Sequence, residues 1–162
     1  MVRAIYPGSF DPMTLGHLDI IQRSSRLFDS VIMAVVANPG KSPLLSVEER
    51  KKLIEQATRG LKGVEVDAFQ GLTVDYARQN NVHILIRGLR AISDFEAELA
   101  MAQTNRGLFP ELETIFLMSK AEYSFISSSI VKEIARLGGD ASQFVPQPVN
   151  DYLKECFSRG TR

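Results

Sequence analysis

Short apolar runs alternate with amphipathic runs along the chain, and this alternation restricts the possible folds more than any other feature of the sequence. Residues 31–37 are apolar throughout, which is typical of a parallel strand that is buried on both faces. Similar runs predict four further strands at residues 4–6, 64–69, 82–86 and 113–118. Helical patterns between the strands imply right-handed crossovers, so we predict an α/β fold with a doubly wound, five-stranded parallel sheet.

Start and stop signals delimit the predicted helices. The first helix begins after Pro7-Gly8 and Asp11-Pro12, close to His17. The sequences Ser46 to Glu49 and Ser93 to Glu96 have the Ser-x-x-Glu spacing of a capping box, and they predict helices at residues 46–60 and 93–108. A shorter helix is predicted within residues 71–81, and two more at residues 127–137 and 148–157.

Length and composition favour a single domain, residues 1–162, in the cytoplasm. The 162 residues contain 19 Lys plus Arg and 19 Asp plus Glu, so no overall field attracts nucleic acid or an anionic membrane. The single cysteine, Cys156, cannot form an internal disulfide and is expected to be structural. Neither a signal peptide nor an apolar run of membrane-spanning length is present in the sequence.

Polar residues that suit an anion follow four of the predicted strands. The turn after the first strand leads to a helix start at His17, where backbone N–H groups favour an anion. Lys41 follows the second strand, Arg87 and Arg90 follow the fourth, and a serine run with Lys132 follows the fifth. The carboxyl ends of parallel strands meet at one edge of a sheet, so these groups predict a phosphate-handling site there.

Several common sites are not supported by the sequence. The first turn lacks the Gly-x-Gly-x-x-Gly pattern of dinucleotide-binding folds, and no Gly-x-x-x-x-Gly-Lys-Ser/Thr sequence occurs. Ser9 does not lie in the Gly-x-Ser-x-Gly pattern of esterases. The sequence also shows no cysteine cluster or histidine pair that would indicate a structural zinc site.

Two short motifs and four longer strings carry a resemblance to a known family. Thr14-Leu15-Gly16-His17 resembles the T/H-x-G-H motif of the nucleotidylyltransferase superfamily. Residues 126–132 resemble its Ile-Ser-Ser-Thr-x-x-Arg motif, with Ser129 in place of Thr and Lys132 in place of Arg. The strings at residues 6–12, 86–90, 94–96 and 123–129 are similar to those of the bacterial phosphopantetheine adenylyltransferases, and the resemblance covers essentially the whole chain.

The resemblance implies a Rossmann-like nucleotidylyltransferase fold and adenylyl transfer from ATP to 4′-phosphopantetheine, giving dephospho-coenzyme A and pyrophosphate. His17 would stabilise the transition state at the α-phosphate, and no covalent enzyme intermediate would form. The residues that would bind phosphopantetheine are Ser9, Lys41, Thr73 and Arg87. Those that would bind ATP are Ser9, Phe10, His17, Gly88, Leu89, Arg90, Glu98, Tyr123, Ser124, Phe125, Ile126, Ser127, Ser128 and Ser129.

The same resemblance implies Mg²⁺ that arrives with ATP and has few or no direct protein ligands, feedback by coenzyme A, and a homohexamer built as a dimer of trimers. The role of Lys132 is left open, because lysine keeps the charge of arginine but loses its bidentate fork.

Alternatives stay open at two levels. The acceptor could be nicotinamide mononucleotide or glycerol phosphate, or the chain could be a nucleotide-binding regulatory module without catalysis. Among the site residues, Arg87 and Arg90 could instead form ion pairs with Asp94 or Glu98. Thr73 could be a helix N-cap, one serine of Ser127–Ser129 suffices as a helix cap, and His83 in its apolar strand is expected to be structural.

Overall fold

The computed structural model describes residues 1–37 and 42–158 and confirms the predicted parallel α/β architecture. One sheet contains five parallel strands in the order β3-β2-β1-β4-β5. The strands are β1 Arg3–Gly8, β2 Ser30–Val36, β3 Val64–Phe69, β4 Ile84–Leu89 and β5 Glu113–Met118. The helices are α1 Leu15–Leu27, α2 Val47–Ala57, α3 Thr73–Gln79, α4 Ile92–Leu108, α5 Ser128–Arg136 and α6 Gln147–Ser158, with a 3-10 turn at Ala121–Tyr123.

The core lies on both faces of the sheet, because alternate residues of the central strands point in opposite directions. Val31, Met33 and Val35 of β2 belong to a cluster with residues of α1, α2, α5 and α6. Ile32 and Ala34 belong to the cluster on the opposite face, with residues of α3. Burial on both faces explains why β2 is apolar along its whole length. No helix in the described part of the chain is both long and apolar enough to cross a membrane.

Two strands extend further towards the site than the sequence predicts. β1 does not stop at Pro7 but pairs with β2 through Gly8. β4 begins at Ile84 and continues through Leu89, so the predicted end of this strand at residue 86 is wrong. The reason is the continuous ladder to β5 together with close packing: a Cβ at Gly88 would lie 3.3 Å from the Ile20 Cγ1. Gly88 therefore allows α1 to pack closely against β4, and it does not end the strand.

The predicted helix caps have mixed outcomes. The Ser46 capping box is confirmed, since Ser46 and Glu49 bond reciprocally to each other's backbone N–H groups. The capping box at Ser93 is wrong: α4 begins at Ile92, and its N-cap residue makes no side-chain cap hydrogen bond. Thr73 is not an N-cap either, because it is the first residue of α3.

Candidate active site

A cavity of about 550 Å³ opens at the carboxyl edge of the sheet, between the N-termini of α1 and α5. Such an edge is where ligands bind in open parallel sheets. The predicted site residues that line the cavity are Ser9, Phe10, His17, Arg87, Gly88, Arg90, Glu98, Ile126, Ser127, Ser128 and Ser129. The predicted site residues outside its lining are Thr73, Leu89, Tyr123, Ser124 and Phe125. Lys41 lies outside the described residues.

His17 is held by the start of its own helix. Thr14 is the N-cap of α1, and its backbone N–H donates to the Nδ1 of His17 over 3.0 Å. The His17 backbone N–H in turn donates to the Thr14 hydroxyl over 3.4 Å. A ring nitrogen that accepts a hydrogen bond carries no proton, so the proton of the neutral imidazole lies on Nε2. The ring therefore offers one N–H donor on the edge away from Thr14.

The His17 ring is neutral at neutral pH. Burial lowers the pKa of His17 to about 4, and the positive charges of Arg90 and Arg87 act in the same direction. The Phe10 ring packs edge-on against the imidazole, with 5.1 Å between ring centroids. A neutral imidazole with a fixed tautomer can donate to a phosphate oxygen without giving up its proton.

The turn between β1 and α1 is built on a buried aromatic ring. Phe10 is 2% exposed and has a left-handed φ of 48°. Its ring lies under Gly8, where a Cβ would be 2.9 Å from the Phe10 Cζ. Only glycine at this position lets the ring fill the space under the turn. Because the Phe10 side chain is buried, the turn presents mainly its backbone to the cavity.

Arg87 near the end of β4 and Arg90 directly after it are each paired with an acid of α4. Arg87 donates to both carboxylate oxygens of Glu98, over 2.6 and 2.5 Å, and to the Pro7 carbonyl over 2.9 Å. Arg90 donates to both oxygens of Asp94, over 3.1 and 3.2 Å. The ion pairs that the sequence left as an alternative are therefore present. Arg87 uses three of its five N–H groups in these bonds, which leaves two for a ligand.

The three serines at the start of α5 make different contacts. Ser127 is the N-cap and accepts the Ile130 N–H over 3.2 Å, while the Ser128 hydroxyl donates to the Pro12 carbonyl over 2.8 Å. The Ser129 hydroxyl has no hydrogen bond within the described chain and lines the cavity. With the first N–H groups of α5, this hydroxyl provides the donors that remain for an anion.

Sequence reasoning missed two buried residues of the cavity wall. Asp11, 6% exposed, accepts N–H bonds from Leu44 and Leu45 and forms a 3.0 Å ion pair with Lys132. Burial alone would raise the pKa of Asp11, but these hydrogen bonds and the Lys132 ammonium hold it below its ordinary value. The Asp-Pro step in the first turn was a usable signal for this residue.

Arg50 of α2 is the second missed residue. It is 4% exposed, and it lines the cavity. Its sequence context, directly after two glutamates on a helix, is that of a solvent-exposed residue. No feature of the sequence indicated that this arginine would point inwards.

Comparison with known proteins gives consistent results. The cytidylyltransferase-like family model matches residues 5–134 of the chain. A bifunctional NMN adenylyltransferase/ADP ribose pyrophosphatase from Francisella tularensis has a similar fold, with a TM-score of 0.76 at 16% identity over 97% of this chain and 50% of that one. This identity is low, so the likeness bears on the fold alone.

Closer relatives are proteins named phosphopantetheine adenylyltransferase. The protein from Synechococcus sp. (strain JA-2-3B'a(2-13)) is 58% identical over 95% of this chain and 97% of its own length. The protein from Nostoc sp. (strain PCC 7120) is 59% identical over 96% and 81%, and that from Gloeobacter violaceus is 57% identical over 96% of both chains. The chain belongs to the phosphopantetheine adenylyltransferase family of the nucleotidylyltransferase superfamily.

Proposed function

We propose that the chain transfers the adenylyl group of ATP to 4′-phosphopantetheine and releases dephospho-coenzyme A and pyrophosphate. The observation that carries this proposal is the neutral, Nε2-protonated His17 at the N-terminus of α1, flanked by the β4 arginines and by the N-terminus of α5. This arrangement suits a reaction that gathers negative charge between two phosphates. Family membership supports the choice of substrates.

The reaction needs no protein nucleophile. An oxygen of the acceptor phosphate attacks the α-phosphorus of ATP in line, and the bond from the α-phosphorus to the bridging oxygen of pyrophosphate breaks. The protein accelerates this step by positioning the two phosphates and by stabilising charge on the α-phosphoryl oxygens. His17 donates its Nε2–H to one of those oxygens, as a preorganised donor that keeps its proton.

The remaining residues divide between the two substrates. Ser9 and Arg87, with Lys41 and Thr73, hold phosphopantetheine, and Ser9 also reaches ATP. Phe10, Gly88, Leu89, Arg90, Glu98 and residues 123–129 hold ATP. Support from geometry is strongest for the residues that line the cavity. Glu98 also orients Arg87 through its ion pair, as Asp94 orients Arg90.

Magnesium fits the site as a companion of ATP. Within the described residues, no group of three or more His, Cys, Asp or Glu side chains could hold a metal ion. The acids of the cavity, Asp11, Asp94 and Glu98, are each engaged in an ion pair. Mg²⁺ would therefore be held mainly by the phosphates of ATP, where it would neutralise part of the polyphosphate charge.

Assembly into a homohexamer, as a dimer of trimers, is part of the proposal. α4 has no buried residue in the described chain, yet it carries exposed apolar side chains such as Ile92 and Met101. A surface of this kind is expected to be covered by another copy. Light scattering on the purified protein should give a mass of about six chains. A monomer at micromolar concentration would contradict the assembly.

Feedback and location complete the proposal. Coenzyme A contains the pantetheine chain and the nucleotide of the product, so it should compete with both substrates in the same cavity. We place the reaction in the cytoplasm, where the exposed thiol of Cys156 stays reduced.

The test is to incubate the protein with ATP, Mg²⁺ and 4′-phosphopantetheine and to measure pyrophosphate. Parallel reactions with nicotinamide mononucleotide and with glycerol phosphate test the alternative acceptors. Pyrophosphate should appear only with 4′-phosphopantetheine. Release of pyrophosphate with another acceptor would identify that acceptor as the substrate instead. No release of pyrophosphate with any of them would favour a nucleotide-binding module without catalysis.

A further inference from the structure

Arg50 is a buried cation whose hydrogen bonds all go to backbone carbonyls. It donates to the Ser9 carbonyl over 2.8 Å, to the Val36 carbonyl over 3.3 Å, and from Nε to the Ser46 carbonyl over 3.3 Å. No carboxylate of the described residues forms an ion pair with it. A buried arginine is ordinarily paired with an acid, so its charge calls for another partner.

The charges around the cavity are distributed unevenly. On the β4 side, Arg87 is balanced by Glu98 and Arg90 by Asp94. On the β2 side, the acid whose charge acts on Arg50 is Asp11, which is already paired with Lys132. Two cations and one anion leave this β2-side corner with a net charge of +1 among the described residues.

The same arginine links the two backbone segments that border this corner. Ser9 lies in the turn after β1, and Val36 is the last residue of β2. Because β1 and β2 are neighbours in the sheet, one guanidinium can hold both segments at once. A shift of this side chain would move the Ser9 turn, which leads into α1 and so to His17.

The corner lies away from the groups that suit a triphosphate. Arg90 follows β4 and donates to the Ile126 carbonyl just before α5, whereas Arg50 donates to Val36 at the end of β2, on the other side of β1 in the sheet. Ser9, whose carbonyl Arg50 holds, is among the residues that we assign to the acceptor, so the acceptor phosphate is the anion that would lie next to this corner, with Arg87 reaching it from the β4 side. Arg90 and the first N–H groups of α5, which we assign to ATP, follow β4 and β5.

We propose that Arg50 is a positioning residue for the acceptor phosphate: it fixes the Ser9 turn and supplies the unbalanced positive charge on the β2 side of the cavity. This inference rests on the proposed adenylyl transfer. It distinguishes the two substrates, since an arginine that only stabilised the fold would affect both alike.

The test compares Arg50→Met and Arg50→Lys with the control Lys52→Met, which removes the same charge from an exposed position on the same helix. In steady-state assays, Arg50→Met should raise the KM for 4′-phosphopantetheine about tenfold or more, as expected for losing a charged hydrogen-bonding group. The KM for ATP should change less than about threefold. Arg50→Lys keeps the charge and should give an intermediate KM, while Lys52→Met should match the wild type.

Equal changes in both KM values, or an unchanged KM for 4′-phosphopantetheine in a folded Arg50→Met protein, would overturn the proposal. If Arg50→Met does not fold, Arg50→Lys decides by the same comparison of the two KM values. A wild-type protein without transfer activity would refute the proposed function instead. Calorimetric titration with inorganic phosphate would then still test Arg50: weaker binding to the Arg50 variant than to Lys52→Met supports the charge role, and equal binding refutes it.

Discussion

At the scale of the residue, the chemistry depends on which edge of the His17 ring faces the cavity. The Thr14 N–H occupies Nδ1, so the helix start itself determines the tautomer. Burial and two nearby guanidinium groups lower the pKa of the ring, and the donor therefore stays neutral beside cations. The two guanidinium groups beside the ring thus help to keep His17 in its neutral form.

The titration of His17 follows directly from this environment. In the isolated protein, NMR should show the neutral Nε2–H form of His17 from pH 8 down to about pH 4. His83 is the only other histidine, so His17→Gln assigns the two signals without ambiguity. Protonation of His17 near pH 6.5 would contradict the account.

A second consequence concerns stability. The pKa of His17 is lower in the folded state than in the unfolded chain, so the unfolded chain binds more protons between about pH 6.5 and pH 4. This contribution to the free energy of unfolding is fully present above pH 6.5 and is lost as the pH falls to about 4. Urea unfolding should therefore show a smaller loss between pH 7 and pH 5 for His17→Gln than for the wild type. Identical losses would mean that His17 titrates alike in both states.

At the scale of the element, the turn after β1 depends on the contact between Gly8 and Phe10. Gly8→Ala places a methyl group 2.9 Å from the Cζ of the buried Phe10 ring, so the ring or the turn must shift. Overpacking of this kind typically costs about 1–3 kcal/mol of unfolding free energy. Urea denaturation measures the cost.

Gly107→Ala is the matched control, because nothing lies within 4 Å of a Cβ at that position in α4. It should leave stability unchanged or raise it by up to about 1 kcal/mol, since alanine favours helix. Equal stability of Gly8→Ala and Gly107→Ala would show that the turn accommodates a side chain.

The elements also show how far the sequence could predict the structure. β2 and the Ser46 cap were predictable, because burial on both faces and reciprocal capping leave local patterns. The extension of β4 was not, since glycine reads as a strand end unless the packing of Ile20 against it is known. The capping box predicted at Ser93 does not form. The Asp94 carboxylate pairs with Arg90, and the N-cap residue of α4, Ala91, makes no side-chain cap hydrogen bond.

At the scale of the whole molecule, charge and assembly decide what the sequence leaves open. The chain has a net charge of zero, but Arg50, Lys132 and Asp11 together leave a positive charge on the β2 side of the cavity. Motifs predicted the cavity residues His17, Arg87 and Ser129 because these lie near the carboxyl end of a strand or in the first turn of a helix. Arg50 escaped prediction because its inward direction depends on how α2 packs against the ends of β1 and β2, which is a long-range property.

The exposed apolar side chains of α4 lead to a prediction about assembly. Met101→Glu puts a charge on a side chain that is 56% exposed at the centre of α4, and it should split the proposed hexamer into smaller species. Leu27→Glu makes the same change at a 63% exposed leucine of α1 and should leave the assembly intact. Light scattering at equal concentrations separates the two. An unaltered mass for Met101→Glu would place the interface elsewhere.

The most direct test of the central claim is the turnover of His17→Ala with ATP, Mg²⁺ and 4′-phosphopantetheine, measured as dephospho-coenzyme A by mass spectrometry and compared with its ATP affinity. Loss of one preorganised donor should lower kcat by roughly 10²-fold or more, whereas the Kd for ATP should change only a few-fold. His17→Gln, whose amide can donate, should retain more activity. A kcat near that of the wild type, or a collapse of ATP affinity that accounts for the lost turnover, would contradict the role of His17 as the donor to the α-phosphate.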